Sequence, residues 1–468
     1  MAYAVDRIME LAKKYSVDQS EAYYSRNRLI TIRMAVNEIV EAKSLVTEGV
    51  SVRLVVNKSI GFASSTDLTE EGLKKIVDNA YRIAKSKKPD PDFKSLPMPK
   101  KVEDLEEGFD KALMNLELSE AVEYGASTFK TGLSIDPNID LSGSINVINE
   151  ECRIRNSLGI DVSDTNTFIF SSITAEKGEE ASAMGQTCSR NLKGFDPAKA
   201  AREAVETCLK CVGGKGVKPG MYEVIFGPDA CADLTEFILA YGLDLSAVET
   251  GFSYFRGKLG EEIASGAFTL TDDGRHSKGI ASKKVDDEGS PTQRTELIKA
   301  GILRNFLCDT YYSNKLSSPI REFTSTGNGF RFEAVPGRSH STIPRIQPTN
   351  FVIEAGNLSL EDLIEDTKRG ILLGRIWYTY PINPTVGEFS TTNRGNTFYI
   401  EDGEIKHPLL PNSFRINDSL PKLLKKIVGI SKEQTQSVVW GGISSCISPH
   451  IKFKDVNITY SKETTSPE

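Results

Sequence analysis

The chain has 468 residues, 39% hydrophobic and 26% charged, which fits a folded globular protein of two to three domains. Its net charge of −7, with both signs interspersed, excludes broad charge-driven nucleic-acid binding, which needs clustered Lys and Arg to displace counterions. No run approaches the roughly 18 apolar residues of a membrane-spanning helix, and Met1-Ala2-Tyr3-Ala4-Val5-Asp6-Arg7 lacks the basic-then-apolar order of a signal peptide.

Seven cysteines, at 152, 188, 208, 211, 231, 308 and 446, are odd in number and widely scattered. In a chain of this size without a signal peptide they read as reduced, partly buried thiols, and the expected location is cytoplasmic.

From the N-terminus, Val5, Ile8, Met9, Leu11 and Ala12 form one apolar helical face. Extended runs follow at 21–34 and 38–43. Residues 51–56 and 60–63 flank Asn57-Lys58-Ser59 as a hairpin. Thr69 opens a helix whose stripe is Leu73, Ile76, Val77, Ala80, Ile83 and Ala84. The four prolines and many charges of 85–101 predict a solvated connector. A helix is expected over 115–131, strands at 140–149, 151–156 and 165–176, and a helix from Pro197 to about Leu209 capped by Asp196. After Pro219-Gly220 come a strand at 222–226, a Gly227-Pro228 turn and a helix from about Asp229 to Leu243. The remainder reads as short strands with one helix over 359–371.

The expected architecture is α+β. It comprises a small N-terminal α/β unit (1–88), a linker (89–112), a middle strand-helix unit (113–216) and a large C-terminal unit (217–468) dominated by curved antiparallel sheet. The first two units share a loosely similar strand-hairpin-helix order.

Local chemistry motifs are sparse. The four histidines, 276, 340, 407 and 450, are far apart, and no helical pair of metal ligands exists. Cys208-Leu-Lys-Cys211 ends a helix instead of starting one, which favours packed thiols over a redox pair. Gly213-Gly-Lys-Gly216 follows a helix and reads as a linker, not a phosphate loop. Asp272-Asp273-Gly274 and Asp286-Asp287-Glu288-Gly289 lack calcium-loop spacing and read as β-turns. No GxSxG elbow is present. Ser325-Thr326-Gly327-Asn328-Gly329 and Pro348-Thr-Asn350 are small polar segments between extended runs. They are either plain turns or loops facing a substrate or partner.

The order of several fragments resembles the TldD/PmbA family, known both as modulators of DNA gyrase and as peptidases. They are Gly49-Val-Ser-Val-Arg53, Ile60-Gly-Phe-Ala-Ser-Ser-Thr66, Gly257-Lys-Leu-Gly-Glu261, Asp272-Asp273-Gly274, Asp286-Asp-Glu-Gly-Ser-Pro-Thr292, Gly301-Ile302-Leu303 and Ser325-Thr-Gly-Asn-Gly329. The resemblance covers nearly the whole chain. It implies a TldD-type subunit with a His-Glu-Xaa-Xaa-Xaa-His helix and a distal Cys binding zinc, and a PmbA (TldE)-type subunit without them. The two would pair around a cavity where unfolded peptide is cut.

Placed on this chain, the first His of that motif falls on Thr235, its Glu on Glu236 and its second His on Ala240. No histidine occurs before residue 276, so no shift of register restores the pair. The distal Cys falls near Ile430; Cys446 is read as structural, and Glu236 as a solvated helix carboxylate. The resemblance therefore implies a PmbA-like, non-catalytic subunit with no metal or cofactor of its own. Zinc is expected in a TldD-type partner, and the substrate is unfolded peptide. The alternative is a stand-alone homodimeric peptide- or protein-binding regulator.

Overall fold

The apolar stripe of Val5, Ile8, Met9, Leu11 and Ala12 is buried along helix α1 (Ala2–Ala12). The computed structural model describes residues 2–105, 108–319, 322–332, 337–439 and 444–460. Met1, residues 106–107 of the expected linker and residues 461–468 of the expected C-terminal unit lie outside them.

Strands β1 (Gln19–Ala35), β2 (Glu38–Val56) and β3 (Ser59–Ser65) form an antiparallel meander, followed by helix α2 (Glu70–Ser86), capped by the Thr69 side chain. Asn57 and Lys58 both take positive φ (48° and 64°), the geometry a two-residue hairpin loop needs to match strand twist. The run expected at 38–43 and the strand at 51–56 are one continuous strand.

Short helix α3 (Lys111–Asn115) and helix α4 (Leu118–Ile135) replace the single helix expected over 115–131. Strands β4 (Asp140–Asn156), β5 (Asp161–Lys177) and β6 (Ala181–Ser189) follow, then helix α5 (Pro197–Lys210) with the Asp196 cap as expected. The break expected at residue 150 does not occur: β4 runs through its acidic centre. There Glu150 is buried and pairs with Lys283, so the polar residue is internal to the strand. β6 was not anticipated, because small residues stand where a strand pattern needs large ones.

These six strands make one sheet in the order β3-β2-β1-β4-β5-β6. The sequence is two three-stranded repeats meeting at β1 and β4, each followed by a helix on its outer strands. Gly61 of β3 and Gly185 of β6 occupy equivalent places. A Cβ on Gly61 would lie 1.8 Å from the Ala80 carbonyl oxygen, and one on Gly185 2.2 Å from that of Ala200. The same small-residue contact docks α2 and α5.

Alternation along β1 assigns the faces. Ala22, Tyr24, Ile30, Ile32 and Met34 pack under the helices. Glu21, Tyr23, Asn27 and Leu29 face the C-terminal part of the chain. The expected connector lacks regular structure, but Phe93 and Leu96 bury themselves near Val55, and Asp90 accepts a hydrogen bond from the Tyr311 hydroxyl (2.8 Å). It is therefore tied down, not freely solvated.

The C-terminal part starts with strand β7 (Gly220–Phe226) and a helical run of α6 (Pro228–Leu234), a π-helical turn (Thr235–Leu239) and α7 (Ala240–Leu243). Helix α8 (Leu245–Thr250) follows. Strands β8 (Leu270–Asp273), β9 (Arg294–Lys299) and β10 (Ile302–Leu303), helix α9 (Thr310–Leu316), the short pair β11 (Gly329–Phe330) and β12 (Arg345–Ile346), and β13 (Asn350–Ile353) come next. Helix α10 (Leu360–Glu365) is shorter than expected. Arg369 already begins strand β14 (Arg369–Asn383), and Ile371 belongs to the sheet core.

Strands β15 (Glu388–Glu401), β16 (Glu404–Pro408) and β17 (Phe414–Ser419), helix α11 (Leu420–Leu424), and strands β18 (Ile427–Ile430), β19 (Thr435–Val438), β20 (Ser445–Ser448) and β21 (Ile451–Tyr460) complete the order. The curved sheet expected here closes on itself: β14, β7, β21, β17 and β15 pair in turn, and β15 returns to β14. The β7–β14 pair is parallel. A second sheet runs β10-β9-β8-β13-β20-β19. Among the described residues, no helix is long and apolar enough to cross a membrane.

Candidate functional site

Gly227 approaches Gly374 so closely that a Cβ would lie 3.2 Å from its Cα, and Pro228 then starts α6 at the first helical position, where a missing N–H costs nothing. This launches the helical run beside β14 and β20. Asp229, Asp233 and Glu236 recur at helical spacing on it.

Thr235 is buried, and its side chain meets that of Cys446 on β20. The Glu236 carboxyl lies by Ser444, and its Oε2 is shielded from solvent with no hydrogen-bond partner among the described residues. Burial pushes the Glu236 carboxyl up to about 7, against the Ser444 hydrogen bond and with help from the nearby Asp272 charge. The expectation of a solvated Glu236 is thus corrected: the helix turns this residue inward. Ala240 packs against the main apolar core.

Two further acids share this environment. Asp233 is pushed up to about 7 by burial, opposed by Arg375 and reinforced by Asp229 and Glu236. Asp272 is also pushed up to about 7 by burial, although Asn328 and Thr349 donate to it. The Arg375 guanidinium lies 5.6 Å from the Trp377 ring centre, and Arg394 lies 4.6 Å from it.

The small polar loop joins this region through Asp272. Asn328 donates to Asp272 Oδ2 and to the Gln347 carbonyl, both at 2.8 Å. Thr326, Gly327, Asn328 and Gly329 are buried, and Ser325 is half-buried. Gly327 has φ +74° and sits against the Pro291 carbonyl, where a Cβ would approach to 2.3 Å, so no other residue fits without movement. Asp272 thus links the two predicted segments: its charge acts on Glu236, and its carboxyl accepts from Asn328 of the 325–329 loop. Ile430 instead pairs with Ile451 in β18.

Asp286-Asp287-Glu288-Gly289 is a turn, as expected, with Gly289 N–H donating to the Asp286 carbonyl. Its side chains belong to a buried ionic network between the N-terminal sheet and the C-terminal part. Arg338 pairs with Asp287 and Asp164, each at 2.6 Å, and Arg53 pairs with Glu21 at 2.6 Å. A cavity of about 20 Å³, bounded by Lys283, Arg331, Arg338, Glu150, Asp287 and Thr349, lies beside this network.

Sequence reasoning missed this network, the Cys446–Thr235 contact and Asp233. Only the 229-233-236 spacing was visible beforehand. Cys208 and Cys211 are buried in the helix-side core, and burial pushes the Cys208 thiol up to about 11, opposite to redox activation.

The arrangement does not fit zinc. Thr235 and Ala240 offer no imidazole, and among the described residues no three His, Cys, Asp or Glu side chains are grouped to hold a metal.

Residues 219–460 match the PmbA/TldA metallopeptidase C-terminal domain, and residues 20–84 match domain 1 of the same metallopeptidases. The chain is 29% identical to TldE from Thermococcus kodakarensis, whose crystal structure superposes with a TM-score of 0.87 over 97% of this chain and 100% of that one. Metalloprotease PmbA of Escherichia coli O157:H7 is 24% identical over 96% of this chain and 95% of its own length. A metalloprotease TldD homolog of Buchnera aphidicola (subsp. Acyrthosiphon pisum) is 27% identical over 77% of this chain and 74% of its own. With more than half its length inside the family's C-terminal domain, the chain belongs to the TldD/PmbA metallopeptidase family.

Proposed function

We propose that this chain is the PmbA/TldE-type subunit of a two-subunit cytoplasmic zinc metallopeptidase. In this reading it pairs with a TldD-type subunit, completes the chamber in which unfolded peptide is cut, and does no hydrolysis alone. The observation that carries it is that the helix after Gly227-Pro228 holds no histidine; in the register the resemblance implies, Thr235 and Ala240 take the places of the family's two metal-binding histidines.

Retained Glu236 does not restore the chemistry. A metalloprotease general base needs a metal-bound water to deprotonate. Here the carboxyl is instead shielded, bonded to Ser444 and pushed up to about 7.

The test is reconstitution. A TldD-type subunit is assayed on an unfolded peptide alone and with this chain, with solution mass measured in parallel. Association with a gain in hydrolysis is the expected result. Activity that is unchanged, with no association, overturns the reading, and a stable self-dimer indifferent to the partner favours a stand-alone binding protein.

A further inference from the structure

No charged residue occurs in 376–387, in a chain that is 26% charged. This stretch is the far end of β14 and the turn into β15. It stands clear of the barrel: Tyr380, Pro381, Ile382 and Asn383 are exposed in succession, so both faces of the strand are bare. Tyr378, Tyr380, Ile382 and Val386 are 67%, 48%, 55% and 46% exposed. An arm that met only water would carry charge; an uncharged, aromatic one marks a contact surface.

Tyr378 shows that the arm is shaped for contact. Its φ is +50°, a conformation that bulky side chains adopt only under strain. The pairing with β15 slips between Trp377 and Tyr380, and a bulge of this kind re-aims a side chain. The Tyr378 ring meets Trp377 edge-on, with ring centres 5.2 Å apart, and Trp377 carries Arg375 and Arg394 against its own ring. The strain thus holds an aromatic ring out in water and does not serve the core. Trp, Tyr and Arg are the residue types that dominate binding energy at protein interfaces.

The surface continues onto the helical run that starts at Pro228. The π-helical turn packs beside β14, and Tyr254 joins the run to the arm. Its hydroxyl donates to the Ile238 carbonyl at 2.7 Å, and a Cβ on Gly387 would lie 3.0 Å from its Cδ1. Phe237 and Tyr241 of that run are each more than a third exposed. At about 200 Å² for a large side chain, these two and the four exposed residues of the arm present roughly 600 Å². With the intervening backbone this approaches the ~800 Å² that each partner gives to a stable complex. A projecting arm of this area fits a folded protein partner. A short peptide is taken up in a groove, and a lipid surface calls for Lys and Arg, which 376–387 lacks.

We propose that the 378–386 arm, with Phe237 and Tyr241 beside it, docks the TldD-type subunit, and that Tyr378 seats in an apolar recess of that partner. This rests on the two-subunit reading above and names the surface that it uses.

The test measures affinity for the TldD-type subunit, and the thermal midpoint of each isolated chain, for the wild type, Tyr378→Gly and Ile382→Glu. Glycine accepts positive φ, so Tyr378→Gly removes the ring and relieves the strain together. A loss of affinity of about tenfold or more is expected in each variant. The midpoint of Tyr378→Gly should equal or exceed the wild type's, and that of Ile382→Glu should be unchanged. If the wild type associates and both variants bind equally well, the interface lies elsewhere; the proposal fails and the two-subunit reading stands. If Tyr378→Gly lowers the midpoint while Ile382→Glu binds as the wild type does, the ring serves the fold and the proposal fails. Variants that dissolve a self-dimer but bind the TldD-type subunit normally make the occupant a second copy, which also overturns it. A wild-type chain that does not associate with the TldD-type subunit overturns reading and proposal alike.

Discussion

Arg331 and Glu21 lie 310 residues apart in sequence and form a fully buried ion pair, with Nη2 of the guanidinium 2.6 Å from Oε1 of the carboxylate. Arg331 also donates to the Ser51 hydroxyl at 2.7 Å and lies over the Tyr23 ring at 4.3 Å. One side chain from the C-terminal part thus reaches three residues on β1 and β2. It ties the ionic face of the sheet to the chain just after the 325–329 loop.

Removing one member of a buried pair strands the other in a low-dielectric setting. Arg331→Met is expected to cost about 3–5 kcal/mol of folding stability. Glu21→Gln should cost at least as much, because it leaves the buried Arg331 and Arg53 without this carboxylate and turns an amide NH2 toward guanidinium donors, whereas Arg331→Met leaves Glu21 paired with Arg53. Denaturant titration of the two variants checks both the size and the order. An Arg331→Met variant as stable as wild type contradicts the account of the network.

The repeat-equivalent glycines give a second prediction. Gly61→Ala and Gly185→Ala each force a methyl group onto helix backbone, and each should destabilise by about 1–3 kcal/mol or more, as overpacking does. Gly216→Ala meets nothing within 4 Å and serves as the neutral control. Thermal unfolding of the three variants distinguishes close helix docking from a loose sheet–helix contact.

The carboxyls of Glu236, Asp233 and Asp272 make stability depend on pH. Glu236 has an ordinary value of 4.5 and is pushed up to about 7 in the folded chain. Between these values the folded state holds a proton that the unfolded state releases, so stability falls as pH rises through this window. The contribution is present in full below about 4.5 and lost above about 7, with a span of at most about 3 kcal/mol. Asp233 and Asp272 act in the same direction. Urea midpoints should therefore drop between about pH 5 and 8, and drop less in Glu236→Gln. A variant whose midpoint falls as steeply as the wild type's excludes Glu236 as a source.

Much of this was legible in the sequence because it is periodic. The stripes of α1 and α2, the Asp196 cap and the Asn57-Lys58 turn each carry a local physical signature. β6 escaped because Ala181, Ala183 and Gly185 are small for contact with α5, and small residues blur a strand pattern. Glu150 broke the apparent strand because its partner, Lys283, lies far along the chain. Glu236 looked solvated for the same reason, since Ser444 and Asp272, which shield it, lie far away in sequence. Closure of the barrel, too, depends on the non-local pairing of β14 with both β7 and β15. The helix after Gly227-Pro228 was legible, but the contact of Thr235 with Cys446 and the link from Glu236 through Asp272 to Asn328 needed the fold.

The zinc content of the purified chain, measured by elemental analysis after equilibration with zinc and removal of loosely bound ions, tests the central claim most directly. The account predicts far less than one zinc per isolated chain, and zinc in the complex in proportion to the TldD-type subunit alone. One zinc held tightly per isolated chain would contradict it.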